Sequence, residues 1–239
     1  MASAVTVSGR RNAAVRKGRR PGAPKLVVEQ GCFEAGARLV CGVDEVGRGA
    51  WAGPVTVGAV VISPAPKRIL RVRDSKELTL EQREALYPKI LAWAAAAAVG
   101  HASAAECDEL GMTAALRLAG ERALTGLAEA GCVPDSIILD GNHDYFRRPD
   151  QVRTVVDGDA LCLSVAAASI VAKVTRDRLM AAEADCYPGY DFDSNRGYPS
   201  PRHRCALLGY GPTAIHRRSW IYVEKLPWAQ PAPELTLFV

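Results

Sequence analysis

Three apolar segments of this 239-residue chain end in a carboxylate or lead to one within a short turn. Residues 39–46 carry Asp44 and Glu45 near their end, Ile137-Ile138-Leu139 runs into Asp140, and Asp159 follows Val155-Val156 after two residues. A single Asp beside glycine is ordinarily a turn former or a helix cap. Several strand ends finishing the same way point instead to carboxylates that converge, repel one another, and are relieved when divalent cations bind between them. An all-oxygen donor set favours Mg²⁺ or Mn²⁺ over zinc. Successive side chains on a strand face opposite ways, so Asp44 is the more direct ligand, and Glu45 needs a local twist to join it.

The segment that follows, Gly47-Arg48-Gly49-Ala50-Trp51-Ala52, formally fits a dinucleotide-binding glycine fingerprint. Its surroundings do not. Such a loop must open a helix, whereas Gly53-Pro54 comes next and the chain returns to a Val-rich strand. Lys67 and Arg68 stand where the ribose-binding acid belongs. A Gly-Arg-Gly loop beside metal-binding carboxylates suits another task. Its backbone can approach a ligand closely, and a ribose 2′-hydroxyl both donates and accepts hydrogen bonds.

The elements that must position these residues alternate between periods of two and 3.6. Residues 39–46 and 55–62 read as neighbouring strands. Residues 79–93 read as a helix opened by Thr79 and Gln82, and 94–102 as a strand ended by the capping box Ser103 to Glu106. Residues 112–130 and 163–184 are helical in pattern, and 136–140 and 152–156 are short strands. Strands first, then strands alternating with helices, define an α/β domain on a mixed sheet.

Composition agrees, with 49% hydrophobic and 23% charged residues and no uninterrupted apolar run of membrane-spanning length. Seven scattered cysteines without a C-x-x-C pair argue against a zinc site or a disulfide framework. The net charge of +4 is uneven: residues 1–25 hold seven Lys or Arg and no acid, leaving a body of −3. We therefore expect a basic, disordered arm over 1–36, a folded domain over 37–224 and a Pro-rich tail over 225–239. The arm suits either nucleic-acid attraction or simple solubility. The absence of a secretory pattern leads us to expect a cytoplasmic protein.

Ser169, Lys173 and Arg176 fall on one helical face, where they could meet phosphates, although Lys173 and Asp177 are also spaced to pair with each other. Asp74-Ser75-Lys76 precedes a helix and is either a plain cap or a phosphate contact. His143 invites a general-base role, but a loop histidine is more often solvated and metal-assisted hydrolysis needs none.

Taken in order, the stretch from Cys41 to Val55, Asp74-Ser75-Lys76, Leu139-Asp140-Gly141-Asn142, Gly158-Asp159, the segment from Ala168 to Asp177, Gly197-Tyr198-Pro199 and His216-Arg217-Arg218-Ser219 resemble the signatures of bacterial ribonuclease HII. The resemblance spans about residues 39–223. It implies a ribonuclease H-like fold, a mixed five-stranded sheet flanked by helices, with a small C-terminal helical extension. It further implies hydrolysis of the RNA strand of RNA/DNA hybrids and nicking of duplex DNA on the 5′ side of embedded ribonucleotides, leaving 3′-hydroxyl and 5′-phosphate ends. Asp44, Glu45, Asp140 and Asp159 would be the catalytic acids, holding two Mg²⁺ or Mn²⁺ ions in the substrate complex. Gly47, Arg48 and Gly49 would read the 2′-hydroxyl, and Tyr198 would stack on the next deoxyribose. Lys76, Asn142, Ser169 and Lys173 would complete the substrate contacts. No organic cofactor, membrane or second subunit is implied. Asp157 departs from the family pattern, standing where a Lys is usual. Other classes stay open: a related nuclease for DNA structures, a hybrid-binding module that does not cut, and, distantly, a Rossmann oxidoreductase.

Overall fold

The computed structural model describes residues 22–67 and 69–220. Its five-stranded mixed sheet is built from β1 (Val40–Val46), β2 (Val55–Ile62), β3 (Ala96–Ala102), β4 (Ser136–Asp140) and β5 (Val152–Val155), in the order β3-β2-β1-β4-β5. β1 pairs antiparallel with β2 and parallel with β4, so Asp44 lies opposite Gly58, and Val43 lies opposite Leu139, the residue before Asp140. This register brings the ends of β1 and β4 side by side.

Helices cover both faces. α4 (Met112–Glu129) packs with Cys41, Val43, Ile137 and Leu139 on one side. α6 (Leu163–Cys186) and α2 (Leu80–Trp93) pack on the other, and α3 (Ala104–Leu110) leads into α4. Glycine decides how close α6 can come: a Cβ on Gly42 would sit 2.2 Å from the Ser164 backbone carbon, and one on Gly58 would sit 2.6 Å from the Ala168 oxygen. The alanine-rich β3 follows the same logic. A Cβ on Gly100 would lie 2.0 Å from the Ala119 oxygen, so small residues let α4 seat directly on this strand. Both capping boxes read from the sequence form, Thr79 with Gln82 and Ser103 with Glu106.

The arm expected over 1–36 is shorter than its charge suggested. Val27–Glu34 is a helix, α1, whose neighbourhood of Leu26, Val28, Cys32 and Phe33 packs against Val40, Ile62, Ile138 and Val165. The charge count masked this small apolar face. The arm up to residue 21 and the tail over 225–239 lie outside the described residues. A second short helix that the sequence did not announce, α5 (Gly158–Leu161), carries Asp159. The C-terminal extension consists of α7 (Phe192–Asn195) and α8 (Pro201–Tyr210), joined to the body through Trp51, Ala52 and Met180. All seven cysteines are free, with Cys186 and Cys205 exposed. No helix among the described residues is long and apolar enough to cross a membrane.

Candidate active site

Four carboxylates meet around the C-terminal ends of β1 and β4. Asp44 is 5% exposed and turned toward α6, where its carboxylate accepts from Ser169 and its Oδ1 accepts the Glu45 N–H at 2.8 Å. Burial, then the charges of Glu45 and Asp140, hold the Asp44 pKa well above the usual carboxylate range. Glu45 is also raised, by burial first; Arg48 opposes that shift and Asp140 adds to it. Asp140 is raised by burial and then by Asp159, while its Oδ1 accepts the Gly158 N–H at 2.7 Å. Asp159, 6% exposed, comes from the first turn of α5 rather than from a strand end. The chain reaches it through Asp157, whose left-handed φ of 55° Asp tolerates better than most residues.

Two cations already lean on this cluster. The Lys76 ammonium donates to Asp159 Oδ2 at 3.2 Å, and although burial works against its charge, Asp159 and Asp74 lift its pKa to about 12. Arg48 lies 3.6 Å from Glu45 Oε1. Asp74, in the turn expected to be either a plain cap or a phosphate contact, is a fifth acid beside the cluster. Its Oδ1 accepts the Lys76 N–H, and burial and then Asp159 push its pKa upward. Among the described residues, no three His, Cys, Asp or Glu side chains are arranged to hold an ion as they stand. The donor chemistry nevertheless fits a hard divalent cation: oxygen ligands only, crowded negative charge, and pKa values raised by burial and then by mutual repulsion.

The Gly47-Arg48-Gly49 loop borders the acids and is fixed from three directions. Gly47 donates its N–H to the Tyr198 hydroxyl at 3.0 Å. Arg217, fully buried, donates to the carbonyls of Gly47 (2.7 Å), Arg48 (2.9 Å) and Gly53 (3.1 Å). Arg176, also fully buried, donates to the carbonyls of Pro54, Ala52 and Arg196, and its guanidinium lies over the Tyr198 ring. Arg176 therefore faces inward, not toward phosphates with Ser169 and Lys173 as its helical spacing allowed. Both clamps lie within the motifs that carry the family resemblance, Ala168 to Asp177 and His216 to Ser219, but their polar neighbours gave no sign that either guanidinium is buried.

The other candidates are spread around this centre. Ser169 is buried, and with its one hydroxyl hydrogen turned to Asp44 its Oγ shares a 2.8 Å hydrogen bond with the Ser75 hydroxyl, linking α6 to the Asp74-Ser75-Lys76 turn. Lys173 pairs with Asp177 at 2.6 Å, the pairing that its i, i+4 spacing had left open. Asn142 and His143 lie exposed on the loop after β4.

A mixed β3-β2-β1-β4-β5 sheet with acids gathered where its central strands end defines a ribonuclease H-like nuclease. A family model described as Ribonuclease HII matches residues 41–223. The chain is 56% identical over 198 residues to the Ribonuclease HII of Streptomyces griseus subsp. griseus, covering 80% of this chain and 81% of that one. The crystal structure of ribonuclease H2 from Pyrococcus horikoshii OT3 superimposes with a TM-score of 0.64 at 32% identity, over 78% of this chain and 96% of that one. Bst-RNase HIII in complex with Mn²⁺ superimposes with a TM-score of 0.53 at 25% identity, over 64% and 56%. The chain belongs to the ribonuclease HII family, and it is a ribonuclease H endonuclease, a hydrolase.

Proposed function

We propose that this enzyme hydrolyses the RNA strand of RNA/DNA hybrids and nicks DNA duplexes on the 5′ side of embedded ribonucleotides, using two divalent cations, Mg²⁺ or Mn²⁺. The observation that carries this reading is the meeting of Asp44, Glu45, Asp140 and Asp159 beside a loop whose Gly47 N–H is tied to Tyr198. The four acids would hold the cations, which supply Lewis acidity to the attacking water and to the leaving 3′-oxygen. That the solved Bst-RNase HIII was described with Mn²⁺ supports the choice of metal.

The chain's own residues do the rest. Lys76, 76% exposed and anchored at Asp159, is free to swing its ammonium toward a phosphate beside the acids. Main-chain atoms of Gly47, Arg48 and Gly49 are held rigidly enough by Arg217 to test for a 2′-hydroxyl, since a preorganised donor set loses little on binding. Tyr198, tied to the loop through its hydroxyl, stacks on the deoxyribose that follows. Ser169, Lys173 and Asn142 extend the contact along the strand. The enzyme works as a monomer in the cytoplasm, without an organic cofactor.

The test is a labelled RNA/DNA hybrid incubated with Mg²⁺, with Mn²⁺, or with a chelator. Cleavage to 3′-hydroxyl and 5′-phosphate ends in both metals, and none with the chelator, is the expected result. Cleavage that survives the chelator, or cyclic-phosphate ends, would contradict the reading.

A further inference from the structure

Two buried histidines in the C-terminal extension take no part in the chemistry above, yet they touch the segment that presents Tyr198. His203, on α8, and His216 are both essentially inaccessible to solvent. Their Nε2 atoms are 2.9 Å apart. The far ends of the pair fix where the protons must be. His203 Nδ1 lies 2.9 Å from the Tyr198 carbonyl, which can only accept, so this nitrogen carries hydrogen. His216 Nδ1 accepts the backbone N–H of Thr213 at 2.9 Å, so it carries none, and the Thr213 hydroxyl, 2.8 Å away, turns its own hydrogen to the same nitrogen. The contact between the rings needs a single proton, and His216 Nε2 supplies it to His203 Nε2. Both ends thus demand the same arrangement of two neutral rings.

We propose that His203 and His216 form a one-way chain of neutral imidazoles, running from Thr213 to the Tyr198 carbonyl, that positions Tyr198 against substrate. The functional half of this proposal rests on the assignment of Tyr198 to the sugar beside the ribonucleotide. These are positioning residues, acting through Tyr198, whose hydroxyl reaches Gly47. The surroundings keep the rings uncharged. Trp51, Tyr190 and Phe192 pack against them, and Arg218 is the cation that faces His216. Among the described residues, no carboxylate contributes to the electrostatics of either ring. A charged imidazole here would lose its acceptor and meet a second donor across the 2.9 Å gap.

Two measurements test the chain. Long-range ¹H–¹⁵N correlation spectra of the full-length protein at pH 7 should show His203 protonated at Nδ1 only and His216 at Nε2 only. An imidazolium at either residue, or the opposite tautomer, would overturn the proposal without any mutation. For function, His203→Ala removes the donor to Tyr198, whereas His203→Asn retains one near the Nδ1 position. With a DNA duplex carrying one ribonucleotide, His203→Ala should raise KM about tenfold, the scale of one lost buried hydrogen bond, and leave kcat within about twofold; His203→Asn should recover most of that loss. Equal impairment of the two variants, or an unchanged KM in His203→Ala, would overturn it. Tyr198→Ala separates the two levels. If Tyr198→Ala is as active as the wild type, the assignment of Tyr198 to substrate fails; if Tyr198→Ala is impaired and His203→Ala is not, the histidine chain alone fails.

Discussion

The Gly47 N–H donates to the Tyr198 hydroxyl across 3.0 Å, joining residues 151 positions apart in the sequence. The loop that would read the ribose and the ring that would read the next sugar are therefore one unit. Arg217 and Arg176 secure that unit from beneath, through six backbone carbonyls.

Asp140→Asn is expected to abolish cleavage while leaving the fold intact. The amide oxygen can still accept from Gly158, and the substitution removes one charge from a repelling cluster. As a proposed direct ligand, Asp140 should cost more on removal than the roughly 100-fold upper range typical of an outer partner. Single-turnover cleavage and a thermal melt check this; an active variant, or one that fails to fold, would count against the site.

Arg217→Lys should destabilise the protein by about 2–4 kcal/mol, because one ammonium cannot reach the carbonyls that a guanidinium fork spans and buried acceptors are left unmet. Urea denaturation reads the stability. A change below about 0.5 kcal/mol would mean that the clamp is dispensable.

Gly47→Ala and Gly49→Ala should part company. Gly47 has a φ of +86°, and its Cβ would lie 2.2 Å from Arg176 Nε, whereas a Cβ on Gly49 would meet nothing within 4 Å. Gly47→Ala should lower Tm; Gly49→Ala should leave it unchanged, so any lost activity in that variant reports a clash with substrate. Equal melting temperatures for both would refute the distinction.

Asp157→Lys should lower the metal concentration needed for half-maximal cleavage by thinning the negative charge around Asp140 and Asp159. It should also cost up to about 1–2 kcal/mol, since Asp157 sits in the left-handed region where Lys is less at ease. A metal titration paired with a melt tests both signs.

The histidine pair predicts an acid limit to stability. Burial lowers the pKa of both rings, that of His216 to about 3, below the ordinary 6.5. Folding therefore favours the neutral rings. Their contribution is complete above pH 6.5 and is lost as pH falls from there toward the folded values. Denaturation at pH 7 and at pH 5 should show a smaller drop in stability for the His203→Asn, His216→Asn double variant than for the wild type.

Much of this fold is legible in the sequence. The β-branched runs of β1 and β2 and the capping residues of α2 and α3 signal their elements through local preference alone. β3 is legible only through its boundaries, because its alanines serve packing against α4. α1 was hidden because charge counted over a window conceals an apolar face of a few residues. α5 is too short for any periodicity. In the site, Asp44, Glu45, Asp140 and Asp159 stand out as acids ending or following apolar runs. Asp74 does not, since an Asp ahead of Ser-Lys looks like a cap and is one. Arg176 and Arg217 owe their meaning to carbonyls more than 100 residues away, which no local pattern contains.

The most direct measurement uses two DNA duplexes that differ by a single 2′-hydroxyl on one strand, incubated with the enzyme in Mg²⁺ or Mn²⁺. A nick on the 5′ side of the ribonucleotide, with its all-deoxy twin uncut, is the predicted result. Comparable cutting of the two would contradict the account.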